Sequence, residues 1–341
     1  MVTYDDVYIE PRHSSIETRD NVNLETQFTR NIRIGCPVVA SPMDTVVCGE
    51  MIEALDEEGA TGIMHRFGGR GKQVEELSGL DVNGPLSASV GAVGDFFSNA
   101  DWIVSKTNAN VILVDVAHGD HDHVKSALEQ LSAENIGPKV DVIAGNVATY
   151  EGAVRLINWG ADALRIGVGP GAVCSTRVKT GVGVGQITAM RKAKKASERV
   201  SDGEVPVIAD GGIRKPGDAA KALAAGADTV MVGSILAGTN ETPGKLKARE
   251  TDWPNRELYK EYRGSASQGV KGSNDYVEGV TRTVPYRGSV KRIISDLKDG
   301  LRSSFSYVGA RTVREFQANA NLIEVSGSAA QMGQPHHGSQ V

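Results

Sequence analysis

The chain has 341 residues, 40% of them hydrophobic and 40 of them glycine, with a formal net charge of −5 at neutral pH. That length supports one large core, and the acidic balance leaves no nucleic-acid-binding surface; the short basic run from Arg191 to Arg199 reads as the solvated face of a helix. Cys36, Cys48 and Cys174 have neither disulfide nor metal spacing. With no signal peptide and no long apolar span, the expectation is a cytoplasmic compartment and no membrane partner.

Short apolar runs recur at 37–43, 61–66, 86–92, 110–117, 141–147, 163–169, 205–212 and 229–236, each followed by helical spacing. Continuous Val/Ile/Leu runs signify strands buried on both faces, as parallel sheets require. Their spacing of ~22–42 residues leaves room for one crossover helix each. Eight such units predict a (β/α)8 TIM barrel, with a doubly wound open sheet as the alternative. A barrel places its chemistry at the C-terminal ends of its strands. Polar residues collect there: Met43 and Asp44 after the first run, His65 after the second, Asp115 and His118 after the fourth. Asn146, Asp210, Gly233 and Ser234 close the fifth, seventh and eighth. The histidines His65, His118, His121 and His123 have no convincing metal spacing.

The sixth run opens into a glycine-rich loop, 167–183, that holds Cys174 and, two residues on, Thr176. A thiol among backbone N–H groups and beside Arg177 and Lys179 can be held as the reactive thiolate, although a structural loop with a small cysteine fits the residue types as well. The turns after the seventh and eighth runs (209–218 and 231–239) are glycine-rich, as phosphate-binding barrel turns are. Asp210 would repel a phosphate but would accept from ribose hydroxyls, so the ligand reads as a nucleotide or a flavin. Residues 259–288 are polar and rich in Gly and Ser and read as a long mobile flap over the rim. Helical spacing returns over 293–316. The expected organisation is a single catalytic domain, 1–326, with its flap at about 263–288, and a disordered tail, 327–341.

YDDVYIEP (4–11), SPMDTV (41–46), AGNVAT (144–149), GVGPGAVCSTR (167–177), IADGGIRKPGD (208–218), MVGSILAGTNETPG (231–244) and YRGSAS (262–267) together resemble the successive signatures of the IMP dehydrogenase/GMP reductase family. The resemblance spans almost the whole chain. It implies covalent chemistry at purine C2 of GMP or IMP, with Cys174 as nucleophile and Thr176 and Glu278 near the leaving group. It implies substrate contacts from Met43, Asp210, Gly212, Gly233, Ser234, Tyr262, Gly264 and Ser265, and cofactor contacts from Asp115 and Asn146. It implies a potassium ion on the carbonyls of Gly169, Gly171 and Cys174, and a homotetramer. Ala172 stands where family members often carry a phosphate-binding Ser, which puts that contact in doubt. Between the two branches, the segment 265–278 lacks the Arg-Tyr pair of the dehydrogenase flap, and 66–86 has no room for a pair of CBS modules. The expectation is the NADPH-dependent reductase branch, turning GMP into IMP and ammonia. The alternatives are a dehydrogenase without CBS modules, a non-catalytic nucleotide sensor and a flavin-dependent barrel oxidoreductase.

Overall fold

The computed structural model describes residues 1–131, 133–137, 140–250, 256–264 and 279–326. Eight parallel strands, Val38–Ala40, Thr61–Met64, Ser87–Val90, Val111–Asp115, Asp141–Val147, Ala163–Ile166, Val207–Asp210 and Thr229–Val232, follow one another round a closed barrel. The eighth pairs with the first through Val230–Val38 and Val232–Ala40. The TIM-barrel expectation holds, with each predicted run containing its strand; the open-sheet alternative fails because the two outer strands meet. No CBS pair interrupts the barrel, since the second strand leads through helix Gly69–Leu77 directly to the third.

Alternation along the strands separates two cores. Val39, Ile63, Val111, Leu113, Ile143, Ala163, Ile208 and Met231 fill the barrel interior, and Phe28 and Ile34 join them from the hairpin of Thr26–Gln27 and Arg33–Ile34. Thr29 Oγ1 anchors that hairpin on Asp141 at the start of the fifth strand (2.5 Å), so it plugs the N-terminal mouth. The residues between, such as Val38, Ala40, Leu164 and Val230, face the helices. Helices Gly49–Asp56, Tyr150–Asn158 and Pro216–Ala224 each end at a left-handed glycine, Gly59, Gly160 and Gly226, and an alanine then leads towards the next strand.

Beyond the barrel, Val290–Tyr307 and Val313–Asn319 are helices, as their spacing predicts. The reading of 259–288 as an irregular flap is corrected in part. Lys247–Glu250, Arg256–Arg263 and Thr281–Pro285 form a three-stranded antiparallel sheet. Its alternation was concealed because the side chains that turn inward, Lys260 and Tyr262, are polar. Lys260 is accommodated by donating to the carbonyls of Asn240 (3.0 Å) and Thr242 (2.7 Å). The tip of the flap, 265–278, and the expected tail, 327–341, lie outside the described residues. No described helix is long and apolar enough to cross a membrane.

Candidate active site

Two residues beyond each inward apolar side chain, the strands place a further inward position at the C-terminal rim. These positions hold Ser41, His65, Ser89, Asp115, Gly145, Arg165, Asp210 and Gly233; all eight are polar or glycine, whereas the layer below is apolar apart from Ser87. The polar layer floors a cleft of about 590 Å³, within the range of small-molecule sites. Every described residue assigned to the site from sequence lines this cleft. Cys174, Thr176, Gly169 and Gly171 come from the loop after the sixth strand. Met43, Asp210, Gly212, Gly233, Ser234, Tyr262 and Gly264 come from the first, seventh and eighth strand ends and the flap root, and Asp115 and Asn146 from the fourth and fifth. Ser265 and Glu278 fall outside the described residues.

Cys174 is exposed, and its Sγ lies 3.2 Å from Thr176 Oγ1. Its backbone forms an isolated bridge with Gly279, and Val280 N–H donates to Val173 O (3.0 Å), so the cysteine loop is joined to the root of the flap. Arg177 also has a structural part. Its guanidinium donates to Val168 O (3.0 Å) and Val184 O (2.6 Å), bracing the two limbs of the loop.

Tyr262 is buried beside Met43, with its hydroxyl 3.8 Å from Met43 Sδ. Burial, and secondarily Asp210, pushes its pKa up, which keeps the phenol a proton donor. Arg263 Nε donates to Asp44 Oδ2 (2.9 Å) and ties the flap root to the turn after the first strand. The Gly171 carbonyl accepts Cys174 N–H (3.1 Å) and keeps a second lone pair.

The floor contains a residue that sequence reasoning missed. Arg165 is 8% exposed, and its guanidinium donates to Asp210 Oδ2 through Nε (2.9 Å) and to Asp115 Oδ1 through Nη1 (2.6 Å). Burial works against its charge, but the two carboxylates outweigh that and raise its pKa. Gly145 makes room for it: a Cβ there would stand 2.6 Å from Arg165 Cβ. A register shift between Gly145 and Val147 turns Asn146 inward, where Nδ2 donates to Asp210 Oδ2 (2.7 Å) and Gly167 O (2.9 Å). Gln186 was missed too; its Nε2 ties Ile166 O (2.8 Å) to Asp210 O (2.9 Å). A charged residue within a run as apolar as ALRIGVG was the available signal for Arg165, because a buried guanidinium requires partners.

A second cavity, about 360 Å³, adjoins the cleft and shares Arg66 and Val116 with it. Arg66, Arg70, His118, His121 and His123 line it, and among the described residues no carboxylate does. The His121 and His123 rings stack at 4.7 Å, and Arg70 lies over Trp102.

A family model described as the IMP dehydrogenase / GMP reductase domain matches residues 1–336. The chain is 36% identical over 331 residues to a GMP reductase of Acidovorax sp. (96% of this chain, 97% of the relative). It is 31% identical to an inosine-5'-monophosphate dehydrogenase of Nitrosopumilus maritimus, covering 98% of each, but that alignment runs over 476 positions. Well over a hundred of those positions therefore have no counterpart here. An Aquifex aeolicus dehydrogenase is 43% identical over 250 residues, 69% of this chain and 49% of the relative. Among solved structures, the GMP reductase C318A from Trypanosoma brucei in complex with guanosine 5'-monophosphate superposes with a TM-score of 0.91, at 28% identity, over 99% of this chain and 98% of that one.

Proposed function

The chain belongs to the IMP dehydrogenase/GMP reductase family of oxidoreductases, and on that premise we propose that it is a GMP reductase, converting GMP to IMP and ammonia at the expense of NADPH. The observation that carries the reading is the position of Cys174: an exposed cysteine lining a nucleotide-sized cleft that Asp210 and the glycine turns also line. The near-gapless match in length to a GMP reductase and the GMP-bound reductase neighbour support the reductive branch, as does a 265–278 segment without an Arg-Tyr pair. Asp210 would accept from the ribose. Gly212, Gly233, Ser234, Tyr262, Gly264 and Ser265 would receive the phosphate, and Met43 would pack on the base.

In the proposed reaction, Cys174 Sγ bonds to C2 of GMP. Glu278 supplies a proton to the 2-amino group and Thr176 orients it; the C2–N bond breaks, and ammonia leaves a thioimidate on the cysteine. Bound NADPH supplies a hydride to C2. The C2–S bond then breaks and Cys174 departs with the electron pair as thiolate. The hydride has replaced the amino group, which left with the proton as ammonia. Asp115 would hold the nicotinamide ribose, with Asn146 steadying the floor, and the acid-free basic cavity beside Arg66 suits the phosphorylated end of NADPH. Potassium on the carbonyls of Gly169, Gly171 and Cys174 would hold the loop's shape. The family resemblance implies a homotetrameric assembly, in which a neighbour would cover the exposed Val178 and Val182 on that loop.

A second reading, an IMP dehydrogenase without CBS modules, is favoured by the 43% identity to the Aquifex aeolicus enzyme. Following nicotinamide absorbance separates them: GMP with NADPH is consumed by a reductase, and IMP with NAD by a dehydrogenase.

A further inference from the structure

Among the described residues, Arg165 is the one side chain that touches both acidic groups of the cleft floor. Nε reaches Asp210, on the side read as the nucleotide's, and Nη1 reaches Asp115, on the side read as the dinucleotide's. The guanidinium is planar and rigid, so it cannot turn toward one carboxylate without shifting its grip on the other. The two carboxylates are otherwise held differently. Asp210 Oδ2 also accepts from Asn146 (2.7 Å), whereas among the described residues Asp115 Oδ2 faces the half-exposed Arg66 Nε alone, at 3.7 Å. Asp115 therefore depends on Arg165 for its orientation more than Asp210 does.

We propose that Arg165 is a positioning residue that couples nucleotide binding to dinucleotide binding through the Asp210–Arg165–Asp115 chain. A nucleotide whose ribose hydroxyls donate to Asp210 immobilises that carboxylate, and through the fork it immobilises Asp115. The dinucleotide then meets an acceptor already ordered and binds more tightly. Linkage requires the reverse effect to be equal: the dinucleotide must tighten the nucleotide by the same factor. This rests on the reading of the cleft as a joint GMP and NADPH site.

The test uses GMP with NADP+, a pair that carries no hydride to transfer. Calorimetric titration of GMP into the free protein and into protein saturated with NADP+ gives a coupling factor, and titration in the reverse order checks it. The expected factor is at least about fivefold tightening in both orders, the lower end of typical site coupling. Arg165→Lys puts a single ammonium where the fork was and should bring the factor to near one, whatever it does to the separate affinities. Should that variant fail to fold, Asp115→Asn keeps the shape, removes the charge from one arm and should lower the factor likewise. A factor of one in the unaltered protein, or the same factor in the variants, overturns the coupling while leaving the reductase reading in place. Failure of the unaltered protein to bind GMP at all overturns both.

Discussion

Cys174 and Asp210 both line the cleft, and in the proposed reaction each does something the other cannot: one is the nucleophile, the other the acceptor for a polyhydroxylated ligand. Replacing the sulfur by oxygen, Cys174→Ser, is expected to lower NADPH consumption with GMP by roughly three orders of magnitude or more while GMP still binds. Residual turnover within tenfold of the unaltered protein would contradict the covalent route. His65 makes a different kind of prediction. It is 3% exposed, its Nδ1 has no hydrogen-bond partner among the described residues, and burial pushes its pKa below the ordinary histidine value. The folded state thus favours the neutral ring. Its stabilising contribution is complete above the ordinary histidine pKa and is lost as pH falls through and below it. Urea midpoints at pH 7 and pH 5 should therefore differ more in the unaltered protein than in His65→Asn. At this scale the sequence was readable where a polar residue ends an apolar run, as with Asp115, Asn146 and Asp210. Arg165 was hidden because its run was judged by its hydrophobic neighbours, and Gln186 because its amide acts from a helix start 20 residues from its partner Ile166.

Among the elements, the cysteine loop and the turn after the seventh strand behave as a packed pair. Gly211 has φ of 92°, and a Cβ on it would lie 2.8 Å from Pro170 Cγ, inside the loop that carries Cys174. Gly211→Ala should cost about 1–3 kcal/mol of stability and lower kcat by displacing that loop. Gly217→Ala, at a helix position where a Cβ meets nothing within 4 Å, should change stability by less than about 1 kcal/mol and leave kcat alone. Denaturant titrations and steady-state rates on the two variants check both. The glycine density of both segments announced their turns, but not their contact, which depends on the barrel bringing the sixth and seventh strands side by side. The flap root shows the opposite case. Arg256–Arg263 alternates inward and outward like any strand, yet its inward side is Lys260 and Tyr262, so a search for apolar alternation passes over it.

At the scale of the whole molecule, much of the packing that stabilises the barrel lies away from the cleft. The scaffold's outer layer includes Phe305 and Phe316, fully buried with ring centroids 4.1 Å apart, and neither lines the cleft. Phe316→Ala should cost about 3–5 kcal/mol of stability, read from the denaturation midpoint, and leave kcat for GMP within about twofold. A comparable loss of kcat would mean that the back of the barrel is coupled to the rim. The barrel itself was fully legible because eight buried runs at crossover spacing have few other solutions, and its rim could be located before any site residue was known. The direction of the reaction was not legible in that way, since both branches share the barrel, the cysteine loop and the nucleotide turns. It turns on whether C2 gives up an amine or a hydride. The most direct measurement is therefore nicotinamide absorbance in two mixtures with potassium present, GMP with NADPH and IMP with NAD. The account predicts oxidation of NADPH with release of ammonia in the first and no change in the second. Reduction of NAD in the second, with the first silent, would contradict it.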